Sequence, residues 1–135
     1  WVLRHASPTF TWAEGIHPMT RRGGMGDGHH GWALADFLLA VRNALLFEEG
    51  DHEGDLGHLV ITPALPKDWT FETSVIKVRH AETYFGKVSY TIAFGARTGT
   101  LVVNGEWREE PAYVEWNLPF ALRDAGADAG SVEIG

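Results

Sequence analysis

The chain has 135 residues, the size of one ordinary domain, and 44% of them are apolar while 21% are charged, which excludes wholesale disorder. Its formal net charge of −7 argues against proteins that bind nucleic acid or anionic membranes, because both need a basic face. Cysteine is absent, which excludes disulfides, thiol nucleophiles and thiolate metal ligands.

Residues 1–31 are rich in Gly, His, Thr and Pro and show no sustained period, so we expect an irregular loop. Five glycines fall within residues 23–31, where the backbone must turn sharply or approach another group closely. The sequence opens at Trp1 without Met or a signal-like segment. We therefore expect it to be a piece of a longer chain.

Residues 32–47 predict one helix, capped by Asp27 or the glycines after it and stopped by Gly50. Its apolar residues go nearly all the way round, which is typical of a helix buried within a larger body. No apolar run reaches the ~20 residues that a membrane-spanning helix needs.

From residue 58 onward the apolar pattern alternates, which predicts short strands. Turn signals between them, at a spacing typical of sandwiches, predict an antiparallel β-sandwich. The predicted strands are 58–62, 74–80, 87–94, 100–103, 113–118 and 131–134. We expect a domain boundary near residue 50, with domains at 1–50 and 51–135. The acidic, Gly-rich segment 48–57 would be a surface connector and 124–130 a turn or linker.

Glu14 is the first candidate for catalytic chemistry. It lies between Trp12 and Ile16 in a Gly-rich loop, with His17 nearby. Apolar neighbours and a loop that aims a carboxylate into a cleft are what a general base for water activation requires. The alternative is a loop glutamate that faces solvent.

The histidines His5, His17, His29 and His30, with Asp27, offer a possible metal site. A site needs three or four converging ligands, and adjacent histidines point in different directions, so we expect no metal. One histidine would then be hydrogen-bonded in the fold while the other lines a polar cleft. No phosphate-binding motif is present, and we expect no cofactor.

The chain has six tryptophans, whose flat faces can stack on sugar rings. Trp1, Trp12 or Trp32 near Glu14 would suit a carbohydrate cleft. For Trp32, Trp69, Trp107 and Trp116 we expect packing roles instead, because their positions fit apolar faces. For Trp12 both roles stay open.

The order of these segments resembles the six-hairpin, (α/α)6-barrel glycoside hydrolases, in particular bacterial alpha-L-rhamnosidases and related amylolytic and debranching enzymes. The resemblance covers most of residues 9–119 and rests on the order and spacing of the motifs. The matching segments are Thr11-Trp12-Ala13-Glu14, Gly26-Asp27-Gly28-His29-His30-Gly31-Trp32, the helix to Phe47, Leu59-Val60-Ile61-Thr62-Pro63, Tyr84-Phe85-Gly86-Lys87-Val88 and Val114-Glu115-Trp116-Asn117-Leu118-Pro119.

The resemblance implies an α+β fragment: the last loop and inner helix of an (α/α)6 barrel followed by an antiparallel β-sandwich. Glu14 would be the general base of an inverting glycoside hydrolysis. Trp12, His17, His29 and His30 would bind the carbohydrate substrate. The general acid would lie in the remainder of the barrel, upstream of this chain, so the chain would not be active alone. The segment Gly15-Ile16-His17-Pro18 departs from the rhamnosidase pattern, which leaves the sugar open.

Two other hypotheses stay open. The first is a non-catalytic β-sandwich module that binds sugar or has a structural role, and such a module should cover the helix with its own residues. A barrel fragment would instead leave a large apolar helix face exposed. The second is a histidine metal-binding protein.

Overall fold

The computed structural model describes residues 2–26, 28–50, 57–96 and 98–118, together with the backbone of 132–134. The chain divides into two compact units, Trp1–Arg42 and Asn43–Gly135, called here the first and the second unit. The predicted boundary near residue 50 stays a prediction. Four predicted features lie outside the described residues: Trp1, the Asp27 cap, most of the acidic connector and the linker at 124–130.

The first unit contains more regular structure than the sequence predicts. A 3-10 helix, Val2–His5, is followed by a two-stranded antiparallel hairpin of β1, Gly15–Ile16, and β2, Gly23–Met25. The hairpin turn closes because the His17 amide donates to the Arg22 carbonyl at 2.9 Å. Arg21 adopts a left-handed backbone conformation in this turn, with φ of 57°. The Gly-rich segment therefore forms a hairpin strand.

The predicted helix is present as α1, Gly31–Leu45, but it ends earlier than expected. The chain passes directly into strand β3, Leu46–Glu49, because Leu46 pairs opposite Ile61 and is almost fully buried there. None of the side chains of α1 is buried, and its large exposed apolar residues are Trp32, Leu38, Leu39 and Val41. Among the described helices, none has the length and apolar character needed to cross a membrane.

The second unit contains two sheets. The first sheet has the order β3-β4-β8, with β4 at His58–Ile61 and β8 at Val114–Trp116. The second has the order β5-β6-β7-β9. Its strands are β5, Val75–Thr83, β6, Gly86–Phe94, β7, Gly99–Trp107, and β9, Val132–Ile134. The pairs β4–β8 and β7–β9 are parallel, and the other pairs are antiparallel.

Both sheets contribute to one hydrophobic core. The alternation of β6 is confirmed, because its inward side chains are all buried: Val88, Tyr90, Ile92 and Phe94. They pack with Leu101 and Val103 of β7 and with Leu46, Leu59 and Ile61 of the other sheet. Burial raises the pKa of the Tyr90 phenol well above its usual range, and its hydroxyl donates to the Leu45 carbonyl at 2.9 Å. The second unit is thus organised around residues of β3, β4, β6 and β7.

Strand β5 contains a β-bulge. Its register against β6 shifts between Val78 and Ala81, and His80 has a positive φ of 49°. The displaced His80 amide donates to the Ser89 hydroxyl at 3.0 Å, so its hydrogen bond is made to a side chain. Among the described strands, β5 pairs on one side only.

These observations correct the predicted fold class. The protein is a small, mostly β fold of α+β type, with three sheets, 39% strand and one α-helix among the described residues. The expected end of an (α/α)6 barrel followed by an antiparallel β-sandwich is wrong. The two parallel pairs join segments far apart in the sequence, a feature that residue alternation alone does not encode.

Candidate functional site

The first unit contains a cleft between its N-terminal loops and α1, with a cavity volume of about 310 Å³. This volume lies at the lower end of the range found for small-molecule sites. We call it the Glu14 cleft and define it by six of its lining residues: Val2, Trp12, Glu14, Ile16, Asp36 and Phe37. Four of these six are apolar, so the two carboxylates lie in largely apolar surroundings.

The backbone around Glu14 is fixed by neighbouring segments. The Glu14 amide donates to the Met25 carbonyl at 3.0 Å, at the end of β2, and the His30 amide donates to the Trp12 carbonyl at 3.0 Å. Gly26, which follows Met25 in the chain, has φ of 66°. A Cβ there would lie 3.2 Å from Glu14 Cβ and 3.1 Å from His30 Cδ2. Only glycine fits this approach without displacing a neighbour. The glycines of this segment thus bring Glu14 and His30 together.

Glu14 and His30 form the polar part of the site. His30 Nε2 lies 3.7 Å from Glu14 Oε2, and the two side chains are 24% and 43% exposed, respectively. The distance allows an ion pair when the imidazole is protonated, although it is too long for a hydrogen bond. His30 Nδ1 is buried and has no hydrogen-bond partner among the described residues. The Glu14 carboxylate is therefore accessible to a ligand, and the His30 ring beside it is less exposed.

Trp12 lines the cleft from its buried side. It is 5% exposed, its Nε1 donates to the Val2 carbonyl at 3.0 Å, and its ring lies 4.6 Å from that of Phe37, centroid to centroid. The indole therefore forms an inner wall and supports Phe37 of α1. A stacking role for Trp12 stays a prediction.

The other predicted sugar ligands lie elsewhere in the first unit. His17 Nδ1 accepts hydrogen bonds from the amides of Met19 and Thr20, each at 3.2 Å, so its ring stabilises the hairpin turn. His29 is exposed in the loop before α1 and does not line the Glu14 cleft. Of the four predicted substrate-binding residues, Trp12 lines the cleft and His30 lies beside Glu14.

Asp36 is a cleft residue that the sequence analysis missed. It projects from the second turn of α1 and is the other carboxylate that lines the cavity. The signal that points to it is its place as the one acidic residue in a mostly apolar helical stretch. Within such a stretch, a charged side chain marks the helix face that meets solvent or a ligand.

Within the described residues, no group of three or more histidine and carboxylate side chains is placed to hold a metal ion. His29, His30 and Glu14 do not converge, since only His30 approaches the carboxylate. The arrangement offers hydrogen-bond acceptors and one imidazole beside an apolar wall. Its chemistry is that of binding hydroxyl groups or moving a proton.

Comparisons with known proteins found no matching family model, no matching curated protein and no matching solved structure.

Proposed function

We propose that this protein acts on carbohydrates and that Glu14 is the general base that activates water in an inverting glycoside hydrolysis. The observation that carries the proposal is the position of the Glu14 carboxylate, 43% exposed, on an aromatic-walled cleft with His30 Nε2 at 3.7 Å. Sugars have apolar ring faces and polar edges, and a cleft of this composition complements both.

Glu14 would accept a proton from water as the water oxygen bonds to the anomeric carbon. The bond from that carbon to the leaving-group oxygen breaks on the opposite face and this oxygen takes up a proton from water, so the product has inverted configuration. His30 would be a positioning residue, since its ring faces the carboxylate and limits the directions in which it can turn. Asp36 would accept a hydrogen bond from a sugar hydroxyl at the same cleft.

The test uses glycosyl fluorides because fluoride leaves without a proton and the reaction needs no general acid. The substrates are α-D-glucosyl fluoride and α-L-rhamnosyl fluoride, and the readout is fluoride release. We expect Glu14→Gln to lower the rate by about a hundredfold, the lower range of general-base contributions. The amide keeps the size of the side chain but accepts no proton.

Glu110→Gln is the matched control, since Glu110 is an exposed glutamate of the second unit. Its rate should equal that of the unaltered protein. Equal fluoride release by Glu14→Gln and the unaltered protein would exclude Glu14 as the base.

A non-catalytic sugar-binding site is the second candidate. It is favoured by the solvent access of the Glu14 carboxylate, which suits an acceptor of hydrogen bonds from sugar hydroxyls. If glucose or rhamnose shifts the amide signals of residues 12–16 and no fluoride is released, this candidate replaces the hydrolase. Fluoride release by the unaltered protein that is lost in Glu14→Gln supports hydrolysis.

A further inference from the structure

The second unit has a groove that the proposed function does not use. It lies where the 3-10 helix Lys67–Trp69 and the following turn meet the first residues of β5, and its cavity volume is about 460 Å³. We call it the Trp69 groove and define it by six of its lining residues: Asp68, Trp69, Phe71, Ser74, Val75 and Lys77.

Two aromatic side chains of this groove are open to solvent. Trp69 is 47% exposed and Phe71 is 64% exposed, whereas the sequence pattern predicts a packing role for Trp69. Aromatic rings exposed to water beside a concave surface gain free energy when a ligand covers their apolar faces, and such patches mark binding surfaces. The groove thus has an apolar platform ready for a ligand.

The segment that carries the platform is held by hydrogen bonds. The Thr70 hydroxyl donates to the Lys67 carbonyl at 2.8 Å, and the Ser74 hydroxyl donates to the Trp69 carbonyl at 3.0 Å. The Thr73 amide donates to the backbone carbonyl of Phe94 in β6 at 2.8 Å. Because the backbone is already ordered, a ligand loses little free energy in fixing it.

The charges of the groove indicate the kind of ligand. Asp68 and Lys77 contribute one negative and one positive charge, so the lining is neutral in sum. A purely apolar ligand would remove water from both groups without replacing its hydrogen bonds. A neutral ligand with an apolar face and hydroxyl groups satisfies the rings and both charged side chains.

We propose that the Trp69 groove binds a neutral saccharide, with one pyranose ring stacked on Trp69. Asp68 accepts a hydrogen bond from a ring hydroxyl, and Lys77 donates one to a hydroxyl or ring oxygen. This site belongs to the second unit, and the contacts that define it do not involve Glu14. It would bind carbohydrate whether or not the Glu14 cleft hydrolyses it.

The test is a titration with three neutral trisaccharides, cellotriose, maltotriose and xylotriose, followed by the amide signals of residues 74–77 and the indole N–H of Trp69. We expect at least one trisaccharide to shift these signals. Trp69→Ala should then weaken the binding of that trisaccharide by about tenfold, the loss expected for one central aromatic contact. Trp69→Phe, which keeps a ring, should lose less.

Tyr84→Ala is the matched control, because Tyr84 is an aromatic residue of the second unit that is 83% exposed and does not line the groove. Its affinity should equal that of the unaltered protein. The proposal is overturned if none of the three trisaccharides shifts these signals, or if Trp69→Ala binds as tightly as the unaltered protein. Tighter binding of the acidic trigalacturonate than of the neutral sugars also overturns it.

Glu14→Gln separates this inference from the proposed function. It should leave the trisaccharide titration of the Trp69 groove unchanged while it lowers fluoride release. Should Trp69→Ala fail to fold, as judged by circular dichroism, Asp68→Asn takes its place, and we expect it to weaken binding by about threefold through the loss of a charged acceptor. Unchanged affinity in Asp68→Asn would contradict the assigned hydrogen bond.

Discussion

The two units use different means to hold their structure. In the described part of the first unit, Trp12 is the one buried apolar side chain, and the loops around it are held mostly by hydrogen bonds between neighbouring segments. The second unit buries a continuous set of apolar side chains from two sheets. Burial of apolar surface is the dominant favourable term in folding, so we infer that most of the free energy of unfolding resides in the second unit. The candidate general base lies in the unit with fewer buried apolar side chains, where its carboxylate is accessible.

The largest expected effect comes from comparing a buried leucine of the second unit with an exposed leucine of the first unit. Leu101 is 0% exposed in β7, whereas Leu38 of α1 is 58% exposed. Leu101→Ala should lower the free energy of unfolding by about 2–5 kcal/mol, because it removes buried methyl groups and leaves a cavity. Leu38→Ala should change it by less than about 1 kcal/mol. Urea unfolding followed by circular dichroism measures both.

An equal loss of unfolding free energy in Leu101→Ala and Leu38→Ala would contradict this contrast between the two units. It would mean that Leu38 is covered in solution, for example by a second copy, and sedimentation of the unaltered protein would then report that association.

A second comparison concerns Gly26 and Gly86, the two glycines with positive φ among the described residues. Gly86 has φ of 130°, and a Cβ there would overlap the carbonyl oxygen of Glu106 across the β6–β7 ladder. Gly86→Ala should therefore lower the free energy of unfolding by about 1–3 kcal/mol. Gly26→Ala would place its Cβ 3.1 Å from His30 Cδ2 and 3.2 Å from Glu14 Cβ, closer than ordinary contact, but these side-chain atoms can shift slightly. We therefore expect a smaller loss of about 1 kcal/mol. Thermal unfolding checks the order, and a larger loss at Gly26 would contradict it.

The third prediction follows from the raised pKa of Tyr90. Because the native state keeps the phenol protonated while the unfolded state ionises near pH 10, stability is fully present below about pH 10 and falls above it. The loss contributed by this group should approach about 1.4 kcal/mol per pH unit. Tyr90→Phe removes that contribution. Urea unfolding of both proteins between about pH 8 and about pH 11 measures the difference in slope.

If Tyr90→Phe loses stability with the same slope as the unaltered protein, Tyr90 ionises equally in both states and its burial is not maintained. At neutral pH the variant should be less stable by about 1 kcal/mol, since the Leu45 carbonyl loses the hydroxyl donor.

The smallest expected effect belongs to the first unit. Trp12→Phe keeps an aromatic ring against Phe37 but removes the hydrogen bond from Nε1 to the Val2 carbonyl. We expect local amide exchange in the 3-10 helix Val2–His5 to rise by about fivefold, equivalent to about 1 kcal/mol, with exchange in β6 unchanged. Faster exchange in both places would show that the two units unfold together.

The local pattern of the sequence predicted the parts of the fold that depend on nearby residues. The alternation of Val88, Tyr90, Ile92 and Phe94 identified an inward face, and the apolar run after Gly31 identified the helix. Leu46 was assigned to that helix, because its apolar character fits either structure until the pairing with Ile61 decides between them. The parallel pairings of β8 and β9 depend on distant segments, so no short-range hydrophobic period predicts them.

The candidate site divides in a similar way. The loop context of Glu14 and the family resemblance singled out Glu14 and His30, which the structure brings together. His17 was singled out by the same reasoning, but its ring is committed to the backbone of its own turn, a local hydrogen bond that competes with ligand binding. Asp36 was missed because its approach to the cleft depends on how α1 packs against the loop that carries Trp12.

The bulge in β5 has a consequence for the behaviour of the protein at high concentration. An edge strand with a regular row of free amides and carbonyls is a template for pairing with another molecule, which leads to aggregation. Here the bulge interrupts that row at His80, and the exposed side chains of Lys77, Arg79 and His80 follow one another along the strand. A second copy that paired its own β5 with this strand would bring Lys77 and Arg79 close to their like-charged counterparts beside a discontinuous register. We therefore expect the β5 edge of this sheet to resist growth into fibrils.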